Sequence, residues 1–269
     1  MSWNERLDKA RQAYQNKDKT EAAKAHQRDF IIKAAKEEHG SEGNQYIGSV
    51  VYGGLDGVVT TFAAVSGVAG ANLSPNILLI VGLANLLADG FSMAVGAYLS
   101  HKSELEYYER EEARELWEIE NYPEGEIAEI EAIYLRQGFA LEEAKKMTEI
   151  VIKDKKRWLD IMMHEELGLV KSDIDPIRSS VTTFVAFALA GLIPLITYIV
   201  GLFTPIAANT GFLISAGLSA LTLFGLGAAK VKVTGLNPLR SGLEMLLVGG
   251  GAAAVAYLVG VLLRGLGAG

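Results

Sequence analysis

The sequence contains no cysteine, which excludes disulfide bonds, thiolate zinc sites and cysteine nucleophiles. Basic residues are also scarce: the formal net charge is −7 and the pI is near 5.3, so nucleic acid is not expected as a partner. Disorder is excluded as well, because half of the 269 residues are hydrophobic. The first 45 residues are polar, and we therefore expect no cleavable signal peptide.

Charge is missing from most of the chain and is concentrated in one part of it. Residues 101–178 hold 12 basic and 21 acidic residues, a local charge of −9. Outside this segment and residues 1–45, the remaining 146 residues carry only Lys230, Lys232, Arg240, Arg264, Asp56, Asp89 and Glu244 as charged residues. A single water-soluble domain does not distribute charge in this way, which indicates a membrane protein.

Five apolar stretches are long enough to cross a bilayer, which takes about 20 helical residues. They run over about 47–71, 75–99, 179–201, 205–229 and 241–263. The short connections at 72–74 and 202–204 are uncharged, whereas basic residues collect at the opposite ends of the spans. The positive-inside rule then predicts a cytosolic N-terminus, a cytosolic 101–178 segment and a C-terminus outside.

These features predict an all-α membrane protein with four regions. Residues 1–45 form a cytosolic amphipathic arm, 46–100 the first two transmembrane helices, 101–178 a cytosolic helical domain, and 179–269 the last three transmembrane helices. The apolar positions of the arm are Trp3, Leu7, Tyr14, Phe30 and Ile31. We expect the arm to form a helix over 3–38 that lies on the membrane or on the cytosolic domain.

The acidic segment is predicted to form three helices. The first, over 101–121, continues the second span, and Pro123 with Gly125 ends it. The second runs over 124–137 and stops at Gly138. The third covers 141–167, with a candidate break near Asp154.

Charges inside the predicted spans are the first functional signal. Asp56 lies near the middle of the first span, between two glycines. An ionisable side chain at that depth costs about 2.5–3.5 kcal/mol to insert, so it usually has a function. In the second span, Asn85, Asp89 and Met93 are spaced four residues apart and share a helix face. These side chains are predicted to line a transport pathway; hydrogen bonding between helices is the structural alternative.

Glutamate pairs in the acidic segment are the second functional signal. Glu115 and Glu118 are three residues apart on one predicted helix, and Glu126 and Glu129 are three apart on the next. Residues at this spacing have Cβ atoms about 5–6 Å apart, so each pair is able to chelate one cation. Solvated, ion-paired faces are the ordinary alternative for such glutamates. The same spacing is also met by Glu106, Glu109 and Glu112.

Methionines add a softer kind of ligand. Met162, Met163 and Glu166 lie within about one turn of the third predicted helix. Carboxylates bind divalent cations in general, whereas thioethers favour transition metals over Mg²⁺ and Ca²⁺. The combination indicates Fe²⁺ or a neighbouring ion, with apolar packing as the alternative role for Met162.

Three segments together resemble the vacuolar iron transporter family: YGGLDGVVTTFAAVSG at 52–67, GLANLLADGFSMAVGAYLS at 82–100 and WLDIMMHEELGL at 158–169. The resemblance covers roughly residues 46–265 and implies a five-span homodimer with a cytosolic three-helix metal-binding bundle between spans two and three. It implies that Asp56 is the intramembrane carboxylate and that Met93 lies on the pathway. The implied cytosolic metal ligands are Glu115, Glu118, Glu126, Glu129, Met162, Met163 and Glu166.

The resemblance also implies a function, namely export of Fe²⁺ or Mn²⁺ from the cytosol in exchange for protons. Divalent metal ions, protons and the lipid bilayer are the expected partners. No permanently bound cofactor is expected; Fe²⁺, Mn²⁺, Zn²⁺ or Co²⁺ would be the bound or transported ion. The host membrane would be the plasma (inner) membrane of a prokaryote or the vacuolar membrane of a eukaryote.

Two other functions compete with transport. One is a membrane-anchored metal sensor or scaffold, which would bind metal without flux. The other is a metal-oxidising membrane enzyme. Its di-iron site would need Glu-x-x-His pairs on helices, and the sequence contains none. We therefore expect a transporter and not an enzyme.

Overall fold

The computed structural model describes residues 3–28, 31–32, 42–231 and 237–266, which form helices joined by short loops. The chain divides into two compact units, residues 1–45 and 46–269. The N-terminal unit contains α1 (Trp3–Asn16) and α2 (Lys19–Ala25).

The sequence predicted that the arm forms one helix over 3–38, and this prediction is wrong. Lys17 adopts a left-handed conformation with φ 56°, which ends the first helix. The Asp18 carboxylate then caps α2 by accepting hydrogen bonds from the backbone N–H groups of Thr20, at 2.8 Å, and Glu21, at 3.2 Å. Phe30 lies outside the described residues, and the membrane or domain contact of the arm stays a prediction.

From residue 42 onward the described helices and turns are α3 (Glu42–Gly70), α4 (Pro75–Asn121), α5 (Pro123–Arg136), α6 (Leu141–Val151), α7 (Lys155–Ile161), a π-helical turn (Met162–Glu166), α8 (Pro176–Gly201), α9 (Ala208–Ala229), α10 (Pro238–Leu263) and a 3₁₀ turn (Arg264–Leu266). Helices α3, α4, α8, α9 and α10 are long and apolar enough to cross a membrane. This confirms the five predicted spans. Proline stands first in α4, α5, α8 and α10, where its missing N–H has no intrahelical partner to lose.

Helix α4 joins the membrane part of the chain to the acidic part. It runs without a break for 47 residues, as predicted, which corresponds to a length of about 70 Å. Its first half is apolar and its second half is rich in glutamate. Helix α4 therefore extends as one rigid element from the apolar part of the chain into the glutamate-rich part.

Close backbone contacts hold the spans together. A Cβ on Gly191 of α8 would lie 2.9 Å from both the Gly57 carbonyl oxygen and the Thr61 Oγ1 of α3. A Cβ on Gly260 of α10 would overlap the carbonyl oxygen of Gly67 in α3. Small residues at these crossings are required because nearly uncharged helices in lipid associate mainly through close packing.

Residues 101–178, called the polar insert below, have an apolar core of their own. Ile119, Ile130, Tyr134, Trp158 and Met162 are buried together in it. The second predicted helix is confirmed as α5, and Gly138 has φ 98° just beyond its end.

The third predicted helix of the polar insert is divided. Helix α6 ends at Val151, and the Asp154 Oδ1 accepts a hydrogen bond from the backbone N–H of Arg157 at 2.9 Å. This cap starts α7, which passes into the π-helical turn. Two α-helices and a π turn therefore replace one continuous helix, with the break at the predicted place.

Candidate functional site

Three glutamates of the polar insert come together. Glu115 and Glu118 project from α4 and Glu126 projects from the first turn of α5. One carboxylate oxygen from each of the three lies within 4.8 Å of the others. Pro123 separates the two helices, so the chain folds back and brings Glu126 to the α4 pair. Three like charges at this separation repel one another unless a cation or protons neutralise them.

Burial makes two of these carboxylates strong candidates for metal ligands. Glu115 is 1% exposed and Glu126 is 5% exposed, whereas the side chain of Glu118 is 30% exposed. The Oε2 atoms of Glu115 and Glu126 are buried and have no hydrogen-bond partner among the described residues. A buried acceptor without a partner costs about 1–3 kcal/mol, more when charged. A bound cation would satisfy both oxygens.

The same environment shifts the acidities of the cluster. Burial, followed by repulsion from Glu115, raises the pKa of Glu126 to about 8. Burial, followed by repulsion from Glu129, raises the pKa of Glu166 to about 7. Burial also raises the pKa of Glu115, against the lowering effect of neighbouring Arg114. The Glu126 and Glu166 carboxyl groups therefore hold protons close to neutral pH, and a metal ion must displace those protons to bind.

Glu129 and Glu166 lie at the edge of the cluster. Much of the surface of each residue is exposed, although packing removes part of the water around the Glu166 carboxyl group. The charge of each residue raises the pKa of buried Glu126. Their role as further metal ligands stays a prediction. The competing glutamates lie outside this group of three. Glu106 and Glu109 are exposed, with Glu106 Oε1 3.6 Å from Lys102 Nζ, and Glu112 is half-buried and close enough to Tyr108 to raise the pKa of its phenol.

The two candidate methionines lie in the π-helical turn and are fully buried. The backbone N–H of Leu167 donates to the carbonyl of Met162, five residues earlier, at 3.1 Å. Such turns are common at functional sites, because the extra residue redirects the side chains that follow. Met162 packs in the apolar core of the insert against residues such as Ile130. Apolar packing is thus present, and ligation by the two thioethers stays a prediction.

Arg114 is a residue of the candidate site that the sequence analysis missed. Its Nη2 lies 2.5 Å from Glu115 Oε1, its Nη1 lies 2.5 Å from Glu118 Oε2, and its Nε lies 2.9 Å from Glu111 Oε2. The guanidinium neutralises part of the cluster and occupies one oxygen of each α4 ligand. The sequence signal was the spacing of Arg114 and Glu118, four residues apart, which favours ion pairing on a helix.

The predicted membrane residues also lie close together. Asn85 Nδ2 donates to Asp89 Oδ2 at 2.7 Å, so these two side chains share a face of α4. Asp56 of α3 is half-buried, and its carboxylate is close enough to Asp89 for electrostatic repulsion. Thr60 donates to the backbone carbonyl of Asp56, at 2.8 Å, and not to the carboxylate. Met93 is partly buried against the membrane core.

Comparison with known proteins gives a consistent picture. The model of the VIT family matches residues 47–261, a range that includes the polar insert. A vacuolar iron transporter of Toxoplasma gondii is 42% identical over 267 residues, which cover 96% of this chain and 88% of the relative. One from Plasmodium falciparum is 36% identical over 264 residues, 95% of each chain. Vacuolar iron transporter 1 of Arabidopsis thaliana is 36% identical over 222 residues, 82% of this chain and 87% of the relative.

Proposed function

Because the chain belongs to the VIT family, we propose that it moves Fe²⁺ out of the cytosol in exchange for protons, with Mn²⁺ as the alternative cargo. The protein is a multipass membrane transporter of metal ions and not an enzyme. Iron as the cargo is supported by the names of its relatives, which are vacuolar iron transporters.

One observation carries this proposal. Helix α4 holds Asp89 and Met93 in its apolar half and Glu115 and Glu118 in its glutamate-rich half. A buried carboxylate cluster with unpartnered oxygens is thereby joined to a membrane span that carries an acidic and a thioether side chain. A sensor needs only the first of these features, whereas a transporter needs both.

The proposed transport sequence begins in the polar insert. Its charge of −9 concentrates divalent cations, and the glutamate cluster binds one of them with Met162, Met163, Glu129 and Glu166 as further ligands. The ion then passes to Met93 and Asp56. A proton from the far side binds the Asp56 carboxylate as the ion leaves. Because the Asp56 carboxylate holds either the ion or a proton, the two flows are coupled.

The remaining elements of the proposal are topological. The N-terminus and the polar insert face the cytosol and the C-terminus lies outside, because basic residues collect at the insert side of the spans. The insert forms a metal-binding bundle, and two copies of the chain form a homodimer. The host membrane is vacuolar in a eukaryote or the plasma membrane in a prokaryote.

Flux through the purified protein tests this function directly. Proteoliposomes are supplied with Fe²⁺ under anaerobic conditions, with and without an imposed pH gradient, and internal iron and pH are recorded together. We expect iron uptake that increases with the gradient and is accompanied by protons moving the opposite way. Metal binding without flux of Fe²⁺ or Mn²⁺ would instead establish the sensor or scaffold function.

A further inference from the structure

A cleft lies between the glutamate cluster and the membrane residues. It has a volume of about 450 Å³ and is bordered by the N-terminal parts of α3 and α8 and by the middle of α4. Its lining includes Ser49, Tyr52, Met93, His101, Ser179 and Thr183. Met93, a candidate pathway residue, therefore shares this cleft with the imidazole of His101.

The imidazole of His101 is a candidate ligand in this cleft. Its Nδ1 is buried and has no hydrogen-bond partner among the described residues. The Oε2 of Glu104, one turn further along α4, lies 3.6 Å from that nitrogen, which is beyond hydrogen-bond distance. A neutral imidazole nitrogen binds Fe²⁺, Mn²⁺ and Zn²⁺, and a carboxylate oxygen beside it completes a transition-metal ligand pair.

The position of His101 along α4 suits a transfer step. Fourteen residues separate it from Glu115, about 21 Å along a helix, and eight separate it from Met93, about 12 Å. Residues 93, 97, 101, 104, 108, 111 and 115 recur every three or four positions and so follow one face of the helix. Along this face Glu104 and His101 lie between Glu115 and Met93, and buried Tyr108 lies between Glu104 and Glu115.

Hydroxyl groups supply further oxygen atoms in the cleft. The Oγ atoms of Ser49 in α3 and Ser179 in α8 lie 3.2 Å apart, and Ser179 is fully buried. Thr183, one turn further along α8, also lines the cleft. A partly dehydrated cation at His101 would find these oxygens on the opposite wall.

We propose that His101 and Glu104 form a transfer site for a divalent transition metal, between the glutamate cluster and Met93. This inference rests on the proposed function, because a transfer site has a role only in a protein that moves the ion. The imidazole favours Fe²⁺, Mn²⁺ or Zn²⁺ over Mg²⁺ and Ca²⁺ at the entrance to the membrane.

The absence of native cysteine allows a direct binding test. A His101→Cys variant of the full chain places one thiol at the site, and a Ser103→Cys variant places one on an exposed neighbouring position of the same helix. Each is labelled with a maleimide with and without micromolar Zn²⁺. We expect Zn²⁺ to slow labelling at position 101 about 10-fold or more and to change labelling at 103 less than 2-fold. Equal labelling rates at 101 with and without Zn²⁺ would overturn the proposal.

Measurements of Fe²⁺ flux then test whether His101 is a metal ligand or only a structural residue. We expect His101→Gln to lower Fe²⁺ flux at least about 10-fold, while metal binding by the cluster is unchanged. The His101→Cys variant should keep flux within about 3-fold of the native protein, because a thiolate also binds these ions. His26→Gln, at an exposed position in the N-terminal unit, serves as the control.

The outcomes distinguish this inference from the proposed function. Native flux in His101→Gln, or lost flux in His101→Cys despite intact cluster binding, overturns the transfer site and leaves transport standing. Protection of the thiol in a protein whose native form shows no flux supports metal binding at His101 and contradicts transport.

Discussion

The polar insert and the membrane spans differ in the partners that they provide for acidic side chains. In the insert, three glutamates gather within 4.8 Å and Arg114 neutralises part of their charge. In the spans, residues 47–99 contain no lysine or arginine, and Asp89 has the amide of Asn85 as its partner. The insert therefore offsets part of the charge of its carboxylates with Arg114, whereas residues 47–99 offer Asp56 no basic side chain. This difference supports the proposal that the insert holds the ion and the spans pass it on.

The largest expected effect comes from removing the membrane carboxylate. Asp56→Asn should reduce metal flux to the background of empty proteoliposomes, because an amide neither binds the cation strongly nor takes up the counter-moving proton. Metal binding by the polar insert should stay within about 2-fold of native, measured by titration of the same preparation. Glu244→Gln, which alters an exposed carboxylate of α10, is the matched control and should retain flux. Flux that survives Asp56→Asn would remove Asp56 from the coupling mechanism.

The pH dependence of metal binding should show the second largest effect. The pKa of Glu126 is raised to about 8 and that of Glu166 to about 7, so both carboxyl groups are largely protonated at pH 6. A metal ion must displace these protons, and its affinity should therefore fall on the order of 100-fold between pH 8 and pH 6. Mn²⁺ titrations followed by loss of the free-ion paramagnetic resonance signal measure this change.

A variant tests whether Glu126 is the source of that dependence. Glu126→Gln should bind more weakly at pH 8 and show a flatter pH profile, with about one proton fewer released per ion. Glu109→Gln, at an exposed position on α4, should keep the native profile. An unaltered profile in Glu126→Gln would place the titrating groups elsewhere.

Removing the positive charge of Arg114 should strengthen the binding of Mn²⁺ by the glutamate cluster. Arg114→Gln frees one oxygen each of Glu115 and Glu118 and removes a repelling positive charge, so affinity for Mn²⁺ should rise about 10-fold, or about 1.4 kcal/mol. Arg110→Gln is the matched control, because Arg110 hydrogen-bonds to Glu111 outside the three-glutamate cluster. Equal affinities in the two variants would show that Arg114 does not compete with the metal.

The smallest effect is expected at the edge of the cluster. Glu166 is exposed, so its loss should weaken Mn²⁺ binding about 3-fold in Glu166→Ala, less than the loss of buried Glu126. The solvent-facing ligand position is then filled by water. Titration at pH 8 measures the difference, and a larger loss than in Glu126→Gln would reverse the assigned order of the ligands.

Much of the fold was predictable because its signals are local. Apolar stretches of bilayer length, Pro123 between two helices and Gly138 after a helix each act through neighbouring residues. The arm was the exception. Its apolar positions suggested one helix, but the left-handed Lys17 and the capping Asp18 divide it.

The site was predictable in composition and not in arrangement. The sequence showed which residue types were available, including the glutamate pairs and the Met162–Met163 pair. It did not decide between Glu115 with Glu118 and the competing set on the same helix. A helix with glutamates on several faces carries no periodic signal for the face that becomes buried.

The sequence alone therefore determined five membrane spans, an acidic insert between the second and third, and carboxylates at membrane depth. These properties depend on hydrophobic length and residue type, which are local. Only the tertiary structure decided that Glu126 meets Glu115 and Glu118, that Arg114 lies against them, and that His101 shares a cleft with Met93. Contacts of this kind depend on how helices distant in sequence pack together, and no local pattern specifies that packing.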